Sequence, residues 1–158
     1  MKLGTILLCA LSATSSSALA QSPSACPWLT LGSAEKALGG DATVTVQQPA
    51  PPEGACRFAL KSDPETILEI TVRKTQKRVC PDGSVTLTGL GNEARKCVQK
   101  SEAGKPVDVI EARIRDLNYV IAMTRPVPSQ RPVSRTPSPI PVVRPIQAVA
   151  DLVAGTLY

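Results

Sequence analysis

The cysteines are the residues whose chemistry can be inferred most directly from the sequence. The chain contains five, and four of them follow residue 25: Cys26, Cys56, Cys80 and Cys97. An even number in an exported chain is typical of a disulfide framework, and four cysteines allow three connectivities. Pairing in sequence order, Cys26 with Cys56 and Cys80 with Cys97, closes the two shortest non-overlapping loops and is the predicted arrangement. No metal is expected, because zinc sites need closer ligand spacing and usually histidine.

Candidate catalytic residues are few. The sequence contains no histidine, which removes the usual general base and the Ser-His and Cys-His nucleophile pairs. Asp63, Glu65 and Glu69 suggest a two-carboxylate glycosidase, but that chemistry needs a defined separation across a cleft and one carboxyl with a raised pKa. Three acids around a proline turn are more typical of a polar hairpin tip. We therefore predict no catalytic residue and no enzyme, with a small secreted hydrolase using carboxylate or serine chemistry as the alternative.

The motif Gly89-Leu90-Gly91 contains two of the glycines of a dinucleotide-binding fingerprint. That fingerprint also needs a third glycine and the start of a helix in a βαβ unit. Here the third glycine is missing, and the next residues lead to Cys97, a predicted disulfide partner. The motif therefore predicts a structural turn, and no cofactor is expected.

The densest basic run consists of Arg73, Lys74, Lys77 and Arg78, in a chain with a formal net charge of +5. Such a run is usually a solvated strand edge that discourages edge-to-edge pairing. The alternative is an anion-binding patch for teichoic-type polymers, glycan carboxylates or lipid phosphates. Nucleic acid is not an expected partner, because the chain has few aromatic residues and the pattern of its first twenty residues, described next, predicts export.

Residues 1–20 have the pattern of a signal peptide. Lys2 supplies the positive charge, Leu3–Leu11 form a short apolar core, and Ala18-Leu19-Ala20 fits the small-x-small cleavage rule before Gln21. The apolar run is too short to be a transmembrane anchor, and Cys9 is expected to be removed with the signal. The mature chain, residues 21–158, is predicted to be one secreted or periplasmic domain.

The elements around these residues are predicted from hydrophobic periodicity. A short helix capped by Thr30 should end at Gly39-Gly40. Apolar residues then recur at every second position in several short segments, which is typical of strands with one wet face. The clearest hairpin is predicted from Val107–Arg115 and Asn118–Thr124. We expect an α+β fold with an antiparallel sheet of about five strands, on which this helix and a C-terminal helix pack.

The C-terminal part of the chain changes composition at residue 125. Residues 125–144 are rich in proline and arginine and contain no acidic residue, which predicts an extended or disordered loop or linker. Pro145 then suits the first turn of a helix. The apolar residues after it form one face of that helix, which should dock on the sheet.

Several of these features together resemble a group of uncharacterised bacterial envelope proteins, often lipoproteins, known as domains of unknown function. They are the Cys…Cys pattern, the turn Gly89-Leu90-Gly91-Asn92-Glu93-Ala94, the hairpin and the closing helix Ala148–Leu157. The chain differs from them in its proline-arginine insert and in lacking a lipobox. The resemblance implies a small α+β envelope domain without demonstrated chemistry. The expected function is non-enzymatic binding of a partner protein or an anionic surface polymer; a weaker hypothesis is a hydrolase inhibitor acting through the Pro81–Lys96 loop.

Overall fold

A computed structural model describes residues 25–50, 52–75, 77–124 and 145–158, without the side chains of residues 48–50. The predicted signal peptide with Cys9, the cleavage site at Ala20/Gln21 and the proline-arginine segment 125–144 lie outside the described residues. Within the described ranges, the two helices are too short or too polar to cross a membrane.

The first helix, α1 (Leu31–Leu38), begins and ends as the sequence predicts. The Thr30 side chain accepts a hydrogen bond from the Ser33 amide at the N-terminus, which satisfies one of the free N–H groups there. At the C-terminus Gly39 adopts a φ of 84°, and its N–H donates to the carbonyl of Glu35. Glycine favours this left-handed conformation because it has no Cβ.

Within the described residues, the fold is built on one sheet of seven antiparallel strands, in the order β1-β2-β3-β7-β6-β5-β4. The elements are β1 (Ala42–Ala50), β2 (Glu53–Leu60), β3 (Asp63–Arg73), β4 (Val85–Leu87), β5 (Glu93–Lys100), β6 (Pro106–Ile114), β7 (Leu117–Thr124) and the closing helix α2 (Pro145–Leu157). The α+β class is therefore confirmed. The prediction of about five strands is too low.

The strand that the sequence analysis missed is β5. The sequence predicts a glycine-bearing turn that continues to residue 94 and no strand around Cys97, whereas β5 pairs with β6 along its full length. Its charged residues obscure the alternation that reveals a strand. Its apolar residues do not mark one buried face either, since Ala94 is buried whereas Val98, on the same face, is 57% exposed.

Alternation along the strands gives the sheet two different faces. We call one of them the helix face. It carries four completely buried residues that lie side by side on β2, β3, β7 and β6: Cys56, Ile70, Ile121 and Ile110. Both helices pack on this face and contact each other, and α2 adds five buried side chains to the core. The opposite face, the outer face, carries the neighbouring residues of each strand, including Glu69, Val120 and Glu111.

Two disulfides connect the cysteines in the predicted order. Cys26–Cys56 ties the segment before α1 to β2 within the core, and Cys80–Cys97 ties the connection between β3 and β4 to β5. The sequence separations are 30 and 17 residues. In the chain-entropy model each bridge contributes about 3 kcal/mol to the free energy of unfolding.

Candidate anion-binding site

The connection between β3 and β4 crosses the outer face and forms one wall of a hollow. Val79 N and Cys80 N donate to Glu111 Oε2, at 2.6 and 3.1 Å. Gln99 Nε2 donates to the carbonyl of Val79 at 2.8 Å, and the Cys80–Cys97 disulfide adds a covalent link. Residues 77–84, which we call the crossing segment, are therefore held on the sheet by β5 and β6.

The hollow between the crossing segment and the sheet has a volume of about 250 Å³. Four cationic side chains line it, and they come from three separate parts of the chain: Lys77, Arg78, Arg95 and Arg113. Two acids, Glu93 and Glu111, and the amide of Asn118 also line it. We call this group of residues the basic pocket.

The register of the sheet places the basic residues of β5 and β6 close together. Arg113 lies opposite Glu93 on β5 and opposite Asn118 on β7, and Arg95 lies opposite Glu111. All of these residues are on the outer face, because they alternate with the buried Ala94, Ala112 and Ile114. The pocket floor is therefore formed by neighbouring outer-face positions of three adjacent strands, β5, β6 and β7.

Local contacts fix the cationic groups. The carboxylate of Asp82 accepts from Arg78 at 2.7 Å and lies 3.5 Å from a guanidinium nitrogen of Arg95, so that it holds both arginines on one side of the pocket. Arg113 Nε donates to the carbonyl of Arg115 at 3.2 Å. Glu111 accepts hydrogen bonds from two backbone N–H groups. The four cationic side chains that line the pocket outnumber its two lining acids, Glu93 and Glu111.

The turn that contains Gly89-Leu90-Gly91 positions Arg113. Leu90 is buried, and its carbonyl accepts a 2.9 Å hydrogen bond from the buried Tyr119 hydroxyl, whose pKa is raised by burial so that it stays protonated. Gly91 has a φ of 124°, and Asn92 N donates to the Arg113 carbonyl at 2.8 Å. The motif is thus a structural turn, as expected, and it holds the backbone of a pocket residue.

The basic run predicted from the sequence is divided by the structure. Lys77 and Arg78 line the basic pocket, whereas Arg73 and Lys74 lie at the end of β3 and are not among its lining residues. The Lys74 backbone is held by Glu53 and Asn118. Arg95 and Arg113 were missed, since they are distant from the run in sequence and only strand pairing brings them to it.

The three acids considered for catalysis do not form a pair. Asp63 and Glu65 lie at the start of β3, and Glu69 is four residues further along, which is about 13 Å of strand. The hydroxyl of Thr66 donates to Asp63 at 2.7 Å and lowers the pKa of that carboxyl, and Glu65 forms an ion pair with Lys105. A general acid of a glycosidase needs the opposite shift, a raised pKa.

Glu69 lines a second hollow of about 260 Å³ on the outer face, together with Arg57 of β2 and residues of β1. Glu69 and Arg57 are directly opposite each other in the β2–β3 register, so this hollow carries a cross-strand pair of opposite charges. Among the described residues, no group of three or more side chains is arranged to hold a metal ion.

Comparison with known proteins adds no functional information. No protein-family model, curated protein or solved structure matches the chain. The function must therefore be inferred from the basic pocket and from the sequence.

Proposed function

We propose that the protein is an exported, non-enzymatic protein of the cell envelope that binds an anionic surface polymer in the basic pocket. The observation that supports this most strongly is the convergence of Lys77, Arg78, Arg95 and Arg113 on one hollow. These four cations outnumber the two acids that line the same hollow, Glu93 and Glu111, so the excess positive charge attracts an anionic group. Arginine also suits this role, since its planar guanidinium binds carboxylate and phosphate oxygens in pairs.

The proposed location rests on two features. The disulfides are compatible with an oxidising compartment, and residues 1–20 have the pattern of a cleaved signal peptide. Secretion or release into the periplasm after cleavage near Ala20/Gln21 is therefore part of the proposal.

Binding of defined polymers to the oxidised protein tests this function. The probes are a poly(glycerol phosphate), a polyuronate and uncharged dextran, and the test variants are Arg113→Gln and Lys77→Gln. Lys61→Gln is the matched control, because Lys61 is an exposed lysine between β2 and β3 that does not line the pocket. Loss of one hydrogen bond to a charged group costs about 1.5–3 kcal/mol, which corresponds to about tenfold weaker binding or more.

The proposal expects that one of the two polyanions binds, that added salt weakens the binding, and that the pocket variants weaken it much more than the control. Equal losses in all three variants would show non-specific attraction to net charge. Absence of binding to both polyanions would also refute the proposal.

A further inference from the structure

The first strand of the sheet has a free edge. Among the strands of the described ranges, β1 has a hydrogen-bonded neighbour on one side only, β2. A row of unpaired N–H and C=O groups at such an edge is a template for another strand, and natural proteins usually protect it with charged residues, proline or a very short strand. The other edge is protected in this way, since β4 has only three residues and the adjacent β5 contains Lys96 and Lys100.

The hydrogen bonds to β2 show which groups of β1 face this free edge. Lys61 N donates to the Asp41 carbonyl at 2.8 Å, so Asp41 and Lys61 form a hydrogen-bonded pair. Because such pairs alternate along antiparallel strands, Thr43 and Thr45 direct their backbone groups to β2. Val44 and Val46 then direct their N–H and C=O groups outwards.

The free stretch has clear limits. The outward N–H of Ala42 is occupied by the carboxylate of Glu35, at 3.2 Å, and Pro49 has no backbone N–H to offer. Between these limits, no described group accepts a hydrogen bond from Val44 N or Val46 N. Four backbone groups are therefore available for a partner strand.

Charge and shape favour a second copy of this chain as the partner. β1 contains no charged residue, so its own copy can approach without repulsion between like charges. Val44 and Val46 are only partly buried and pack at the margin of the core. A second β1 would cover them and continue the apolar layer of the helix face.

We propose that two copies pair antiparallel through β1, with the two-fold axis at Thr45, to form one continuous sheet. In this register Val44 of each copy lies opposite Val46 of the other, and these pairs exchange four backbone hydrogen bonds. The two Thr45 residues face each other as a non-hydrogen-bonded pair on the outer face. Cross-strand pairs of β-branched residues and of threonines are favourable. This inference does not depend on the proposed polymer binding.

The oligomeric state of the oxidised protein, measured by sedimentation velocity over a dilution series, tests the proposal. The wild-type protein should be a concentration-dependent dimer. Thr45→Lys places two lysines against each other at the axis and should raise the dimer Kd about tenfold or more. Thr45 is exposed, so the monomer should keep its fold. Thr86→Lys is the matched control, because Thr86 is an exposed threonine on the opposite edge strand, and it should leave the Kd unchanged.

Cross-linking tests the register. Non-hydrogen-bonded pairs have Cα atoms about 4.5 Å apart, which permits a disulfide, so Thr45→Cys should oxidise to a covalent dimer. Thr43→Cys, whose partner across the axis is Gln47, should form little covalent dimer under the same oxidation. A wild-type protein that is monomeric at all concentrations would overturn the proposal. So would a dimer that Thr45→Lys leaves intact, since another surface would then hold it together.

Discussion

The close approach of Gly91 to β6 leads to a prediction that compares two glycines of the same turn. Gly89 and Gly91 both have positive φ angles, 85° and 124°. A Cβ on Gly89 would meet no atom within 4 Å, whereas a Cβ on Gly91 would lie 2.4 Å from the carbonyl oxygen of Arg113. Alanine at either position is strained by the backbone conformation, but only at Gly91 does it also clash.

The magnitudes follow from these contacts. Gly89→Ala should lower the free energy of unfolding by about 1–2 kcal/mol, which is the cost of a left-handed conformation for an L-residue. Gly91→Ala should cost about 3–5 kcal/mol. Its more extreme φ adds strain, and the clash displaces the Arg113 carbonyl, which accepts a 2.8 Å hydrogen bond from Asn92 N worth about 1 kcal/mol.

Urea denaturation of the two variants and the wild-type protein, with the disulfides oxidised, measures this difference. Both variants should unfold at lower urea concentrations than the wild type, with Gly91→Ala far below Gly89→Ala and similar slopes. A Gly91→Ala variant no less stable than Gly89→Ala would refute the close packing of this turn on Arg113. If Gly91→Ala is recovered only unfolded while Gly89→Ala folds, the order of the two costs is still established.

Two further predictions concern single hydroxyl groups. Tyr119→Phe leaves the buried Leu90 carbonyl without its donor and should lower the free energy of unfolding by about 1–3 kcal/mol, whereas Tyr158→Phe, at a 63% exposed residue, should have little effect in the same urea titration. The pKa of Asp63 is lowered chiefly by the hydrogen bond from the Thr66 hydroxyl. The ionised carboxylate therefore contributes to the free energy of unfolding at pH values above its pKa in the unfolded chain. This contribution is lost as the pH falls through the lower pKa of the folded protein. Thr66→Val should raise the pKa of Asp63 towards its ordinary value in an NMR pH titration; an unchanged pKa would refute this hydrogen bond.

The parts of the fold that the sequence predicts are those with a strong local signal. Thr30 and Gly39 mark the ends of α1, and the apolar alternation of β6 and β7 identifies the central hairpin. The disulfides follow the pairing with the two shortest non-overlapping loops, one of three possible connectivities. In each case neighbouring residues, or a small number of possible pairings, contain the information.

The basic pocket depends on long-range pairing, so the sequence reveals only half of it. Lys77 and Arg78 belong to a visible basic run, but Arg95 and Arg113 joined them only through the β5–β6 register. β5 itself was missed because its polar residues hide its period. Without that strand, no argument from sequence could place Arg95 beside the crossing segment.

The position of α2 has a consequence for the order of folding. This helix, formed by residues 145–157, contributes Ile146, Val149 and Val153 to the same core that α1 covers from the other end of the chain. A nascent chain in which residues 145–157 have not yet been synthesised leaves part of the helix face open to water, so the sheet alone cannot close this core during synthesis.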